Sequence, residues 1–298
     1  MRKMIKWICM SAAIFPGKQA VHAQSGPAYI DGINAWHTER MESLKKEDGW
    51  LNLVGLYWLE PGKNSFGSGA TNKLVFPAGT IPAQAGYFEL QDTIVTLVAQ
   101  KGVELKVDNK TITREIIFQN KPGRPVISSY GTLRWTIIKR NDKIGVRLRD
   151  LHSDELTNFK GIDRYPVDEN FRVSAVLDTI NQPSSIAITN ILGQTSLQQF
   201  AGKLRFSLQG KPYSLDALEE DGELFVIFAD QTNKQYTYPS GRFLLVKKPG
   251  ADGHTVIDFN KAYNPPCAFT DFATCPLPPA QNRLAVAVSA GEKKWGKH

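Results

Sequence analysis

Apolar positions along the chain change period once. Ile33, Trp36, His37, Met41 and Leu44 recur every three to four residues, with Glu39, Glu42, Lys45 and Lys46 between them. That one-sided spacing predicts an amphipathic helix over about residues 31–46. From Trp50 onward a period of two replaces it. Ile144, Val146 and Leu148 alternate with Gly145, Arg147 and Arg149, and Leu204, Phe206 and Leu208 alternate with Arg205 and Ser207. Phe171, Val173, Ala175 and Leu177 keep the same step. Successive strand side chains point to opposite faces, so each of these runs reads as a half-buried strand. Residues 224–228 are apolar without a break and predict a strand covered on both faces.

Two connections read as hairpins. Asn141-Asp142 separates the 133–139 run from the Ile144 run, and Pro249-Gly250 with Asp252-Gly253 separates the Arg242 strand from residues 255–259. The fold expected is therefore mainly β: an N-terminal amphipathic helix, then a β-sandwich, then a second β-rich unit, barrel or sandwich. The polar stretch at 150–164, which lacks strand alternation, divides the two units. The resulting plan is a leader at 1–23, a helical segment at 24–48, a sandwich at 49–150 and the second unit at 151–298.

Charge and cysteine content change once the leader is considered. Arg2, Lys3 and Lys6 precede an apolar run from Trp7 to Phe15, and Val21-His22-Ala23 offers a small-residue cleavage site. This predicts export, with the mature chain periplasmic or secreted. Nine apolar residues are too few to span a bilayer. The leader carries Arg2, Lys3, Lys6 and Lys18 without an acid, so its loss lowers the formal charge from +7 to +3. A chain so nearly neutral, with no long Lys/Arg run, has no electrostatic footprint for nucleic acid. Cys9 leaves too, and the remaining pair, Cys267 and Cys275, suggests a disulfide in an exported protein. A two-thiolate metal site and free thiols are the alternatives; no further Cys or neighbouring His completes a zinc set.

The densest chemistry lies in DFNKAYNPPCAFTDFATCPLPPAQNRL, residues 258–284. Its prolines exclude helix and central strand, and its aromatics Phe259, Tyr263, Phe269 and Phe272 argue for an ordered loop. Asp258, Asn260, Tyr263, Asn264 and Arg283, joined by Asp230, Tyr238 and Arg242 from the preceding strand and turn, form a candidate patch for a small polar ligand. Catalytic residues are not assignable. His37, His152 and His254 lack a nucleophile elbow or a triad context. A histidine-independent hydrolase using Asp230, Asp258 or Cys267 is the alternative, and a surface-interaction module a third. The glycine-rich run at 62–69 places Ser68 where a phosphate loop needs Lys, so no nucleotide cofactor is indicated.

GWLNLVGLYWLEPGKNSFGS (49–68), FKGIDRYP (159–166), FADQTNKQYTYPSGRFL (228–244) and the proline-rich stretch resemble a bacterial and archaeal family known as domain of unknown function number 1684. The resemblance covers most of the mature chain and implies no activity and no catalytic residue. In its scaffold, Gly62-x-Asn64-x-Phe66-Gly67-Ser68 with Asn72 also resembles the forkhead-associated β-sandwich. The Arg and the Ser-x-x-His that bind phosphothreonine in that family are absent here, so the likeness implies a scaffold only.

Overall fold

The computed structural model of the protein describes residues 26–140, 142–180 and 183–296; the expected leader and Cys9 lie outside them. Helix α1 spans Pro27–Lys45, with Pro27 in its first turn, where the missing N–H costs nothing. Its predicted stripe faces inward, and Ile33 and Leu44 are buried.

Eleven strands follow: β1 (Leu53–Trp58), β2 (Gly62–Gly67), β3 (Leu74–Val75), β4 (Gly86–Gln91), β5 (Ile94–Ala99), β6 (Leu105–Val107), β7 (Lys110–Ile112), β8 (Arg114–Phe118), β9 (Ser128–Tyr130), β10 (Leu133–Arg140) and β11 (Lys143–Asp150). They form two sheets, ordered β1-β11-β10-β9-β6-β7 and β3-β2-β4-β5-β8. One core lies between them, so this part is a sandwich. At its centre Trp135 meets Phe66 and Phe76 edge-on, each at 5.9 Å between ring centroids. As the hairpin reading expects, β10 pairs with β11 from Leu133↔Asp150 to Arg140↔Lys143; Asn141 itself lies outside the described residues. The inner face of β10 carries Leu133, Trp135 and Ile137, leaving Arg134, Thr136, Ile138 and Arg140 outside.

After a short helix α2 (Asp154–Thr157), the second sheet uses β12 (Arg172–Asp178), β13 (Ser185–Thr189), β14 (Thr195–Leu208), β15 (Lys211–Glu220), β16 (Glu223–Phe228), β17 (Arg242–Val246) and β18 (His254–Asp258). Its order is β17-β16-β15-β14-β12-β18, with β13 on the far end of β14. The sheet curls as a half-barrel around Ala175, Leu204, Leu215, Val226, Leu244 and Ile257. Strand β16 is internal and nearly all buried, as its unbroken apolar run predicts.

The hairpin expected between the Arg242 strand and residues 255–259 is corrected by the structure. β18 pairs with β12, Arg172↔Asp258 to Val176↔His254, while β17 pairs with β16. The two strands are opposite ends of the curled sheet and touch through Thr255 Oγ1 donating to Lys247 O. Curling lets β12 offer a full ladder to β18, whereas β17 already spends its inner edge on β16 and the Phe243 backbone on Tyr263. Local turn chemistry cannot reveal such a non-local competitor.

The proline-rich tail closes the half-barrel. Leu284, Val286, Val288 and Ala290 are buried at alternate positions against the same core. Backbone bonds tie the tail to residues just after β16: Ala229 N to Asn282 O, Leu284 N to Ala229 O and Gln231 N to Val286 O. Gly291 has φ +77°, and a Cβ there would lie 2.5 Å from Ala262 O, so only glycine lets the tail pass. A third apolar cluster joins Leu44, Leu51 and Ile162 to the outer face of the second sheet (Ile188, Leu218, Ile227, Phe243) and to the loop around Cys267 and Cys275.

Candidate functional site

The eight residues proposed from sequence fall into separate groups, each bonded within the protein. Asp230 and Arg242 form an ion pair at 2.8 Å with both side chains fully buried. The Asp230 carboxylate also accepts from Thr232 N and Oγ1 and from Val288 N, while Arg242 donates to the carbonyls of Val288, Ala290 and Glu292. Tyr238 donates to Cys267 O at 3.1 Å, and burial, then the Asp271 charge, push its phenol up. Asp258 accepts from Tyr29 Oη at 2.9 Å and from Asn260 N at 3.1 Å. The Asn260 amide bonds both backbone groups of Asp168. These contacts pin the start of α1 and the segment before β12 to the end of β18.

The third group surrounds Glu292, which is 1% exposed. It accepts from Asn264 N at 2.6 Å and from Arg40 Nε at 3.4 Å, and Asn264 donates to Lys293 O. The Arg40 guanidinium also lies 4.8 Å from the Tyr263 ring centroid. Arg283 is exposed, with its backbone bridged to Ala229. Six of the eight thus form three clasps, Tyr238 and Arg283 stand apart from them, and none of the eight lines the cleft described below.

The Glu292 clasp has a pH signature. Burial raises the Glu292 carboxyl above its ordinary range, opposed by the Arg40 charge and the Asn264 N–H. A pKa higher in the folded state than in the unfolded one adds stability that is full at low pH and is lost as pH rises through the folded value. The excess stability of wild type over Glu292→Gln should therefore shrink from about pH 4 upward. Urea titrations at several pH values check this; a difference that grows with pH would mean the carboxylate is stabilised as an anion.

Cys267 and Cys275 are paired as a disulfide, Cα atoms 6.1 Å apart, with Cys267 N donating to Cys275 Sγ and Cys275 N to Cys267 Sγ. Closing so short a loop is worth about 2.5 kcal/mol in chain-entropy terms. The loop has three moorings: Thr270 Oγ1 donates to Leu53 O in β1, Ile191 N to Cys275 O, and Leu277 N to Thr189 O. It therefore bridges the sandwich and the β13–β14 hairpin.

That bridge walls a cleft of about 670 Å³ between the two β units. The sandwich supplies Trp50, Lys139, Arg140 and Arg147. The opposite side is the outer face of the second sheet, with Leu218, Phe225, Ile227 and Phe243, flanked by Ile188, Asn190 and Gln198 of the hairpin and by Pro266 and residues 273–276 of the loop. Glu219 and Glu220 also line it; burial, then Asp221, raise the Glu220 carboxyl.

The sandwich wall is cationic because of strand register. Alternation puts Arg134 and Arg140 of β10 and Arg147 and Arg149 of β11 on one outer face, with Arg134 directly opposite Arg149. Like charges in that position repel. Among the described residues none of the four pairs with a carboxylate. Arg149 donates to Gly49 O and Asn52 Oδ1, whereas Arg147 stacks over Trp50 at 5.6 Å and its Nε is buried without a hydrogen-bond partner. Burial, then the charges of Arg140 and Arg149, pull the Arg147 guanidinium down to about 10. A negative charge beside Arg140 and Arg147 would offset their mutual repulsion. Sequence reading placed Arg147 and Arg149 only as outward strand positions; the like-charged facing pair implied by the predicted hairpin register was the available signal.

Comparison with known proteins places the second half of the chain. Residues 157–293 match the family described as Protein of unknown function (DUF1684). The chain belongs to this family. An uncharacterised Haloarcula marismortui protein, determined by solution NMR, is 33% identical over 49% of this chain and 82% of its own, with a TM-score of 0.41. No curated protein matches. The DUF1684 match contains the half-barrel, the disulfide loop and the tail, whereas Trp50, Lys139, Arg140 and Arg147 lie outside it. Among the described residues no cluster of His, Cys, Asp and Glu could hold a metal ion, and no helix is long and apolar enough to cross a membrane.

Proposed function

We propose that this DUF1684 protein is exported and binds a small organic anion in the cleft between its sandwich and its half-barrel. The observation that carries the binding is Arg147: a largely buried guanidinium on the cleft wall, beside the like charges of Arg140 and Arg149 and without a carboxylate partner among the described residues. An anionic ligand would supply the counter-charge that this wall lacks. Export rests on the basic, apolar and small-residue succession of residues 1–23 and agrees with a paired Cys267–Cys275, since disulfides persist in oxidising compartments.

Binding is favoured over hydrolysis by what the reactive groups are doing. Cys267 in a disulfide offers no thiolate, Asp230 is committed to Arg242, and Asp258 caps its own turn. A thermal-shift panel of carboxylates, phosphates and neutral sugars at low and high salt checks the proposal. Anions should raise the melting temperature, by less as salt increases, and sugars should not. A panel in which sugars alone stabilise the protein would refute it.

A further inference from the structure

The cleft is chemically two-ended. On its sandwich side stand Lys139, Arg140 and Arg147; its base is made of Ile188, Leu218, Ile227 and Phe243, all buried by their neighbours, and of Phe225, which is half-buried. Strand pairing explains the base: Leu218 faces Phe225 across β15 and β16, and Ile227 faces Phe243 across β16 and β17. These side chains share the outer face of the sheet, and the tail's Pro266, Ala273 and Pro276 add apolar surface beside them. Glu219, paired with Lys248, and Glu220, without a cationic partner among the described residues, also line the cleft and repel a second negative charge.

We propose, resting on the anion-binding reading above, that the ligand is an amphiphilic monoanion: one carboxylate held by Arg147 with Arg140, and an apolar chain or ring laid on the Leu218–Phe225–Ile227–Phe243 base. A hydrophilic polyanion would leave that base in contact with its polar groups and bring charge toward Glu219 and Glu220. An uncharged apolar compound would leave the cationic wall without a counter-charge. A single head with an apolar body satisfies both walls, and the volume of about 670 Å³ is in the range of small-molecule sites.

Isothermal titration of the purified protein with butanoate, octanoate, 3-phenylpropanoate, octanol, 8-aminooctanoate, citrate and inorganic phosphate tests this. Burying methylenes strengthens binding about fourfold each, so octanoate should bind on the order of a hundredfold more tightly than butanoate. Octanol and 8-aminooctanoate should both bind more weakly than octanoate, and comparison of octanoate with 3-phenylpropanoate separates a chain from a ring as the body. Phe225→Ser should weaken octanoate and leave butanoate unchanged, while Arg147→Met should weaken both. Equal affinity for butanoate and octanoate, or tighter binding of 8-aminooctanoate, overturns the amphiphile. Binding of citrate or phosphate without any fatty carboxylate overturns it too but leaves the anion site standing. If no anion binds, both readings fall.

Discussion

Arg242→Met lowers the unfolding free energy by about 3–5 kcal/mol, the cost of stranding a buried carboxylate whose partner is gone. Asp230 and Arg242 are the pair, 2.8 Å apart with neither side chain exposed. The guanidinium also gathers the carbonyls of Val288, Ala290 and Glu292, so its loss frees the tail from the half-barrel as well as leaving Asp230 unpaired. Urea unfolding measures the change. Asp230→Leu combined with Arg242→Met removes both charges and should recover part of the loss, because a stranded charge is the larger component. A double variant less stable than the sum of the singles would contradict that assignment.

Asn282→Ala costs about 2–4 kcal/mol, through three hydrogen bonds that leave buried backbone groups bare. Asn282 is 1% exposed; its Oδ1 accepts from Asp216 N, and its Nδ2 donates to Asp216 O and Ile227 O. These bonds stitch the tail to β15 and β16, directly behind the cleft base of Leu218 and Ile227. Asn282→Asp should cost nearly as much, since a carboxylate cannot donate to the two carbonyls. Chemical denaturation of the two variants checks both figures; a change under 1 kcal/mol for alanine would mean that water replaces the amide at no cost.

These two residues explain how far the sequence could be read. Strand alternation located β11, β12 and β14 because one face of each is buried, and a slip by one residue would expose every apolar side chain. Asn141-Asp142, as residue types between two apolar runs, signals the pairing of β10 with β11. The partner of β18 escaped local reading because closing a curled sheet is decided by strands 80 residues apart in sequence. Asp230, Arg242, Asp258, Asn260 and Asn264 drew attention as a dense polar group, and the density was real. An irregular, proline-rich segment that is buried has to satisfy backbone groups that no ladder serves, and the amides and acids are spent on that task. Whether an Asn faces a carbonyl or a ligand is set by tertiary packing, which neither composition nor spacing encodes.

The tail nonetheless bears on the cleft, by architecture. Through Asn282, Arg242 and the Asp258–Asn260–Tyr29 group it fixes the half-barrel and α1, and through Thr270 and Cys275 it links the sandwich to the β13–β14 hairpin. The cationic wall comes from the sandwich and the apolar base from the DUF1684-matched half-barrel. The proposed site therefore needs both units.

Calorimetric titration of wild type and Arg147→Met with the anion that most raises the melting temperature tests that claim most directly. A charge-assisted hydrogen bond is worth about 1.5–3 kcal/mol, so affinity should fall roughly ten- to a hundredfold while the unfolding midpoint without ligand holds or rises. Unchanged affinity in a folded variant would place the binding elsewhere and contradict the account.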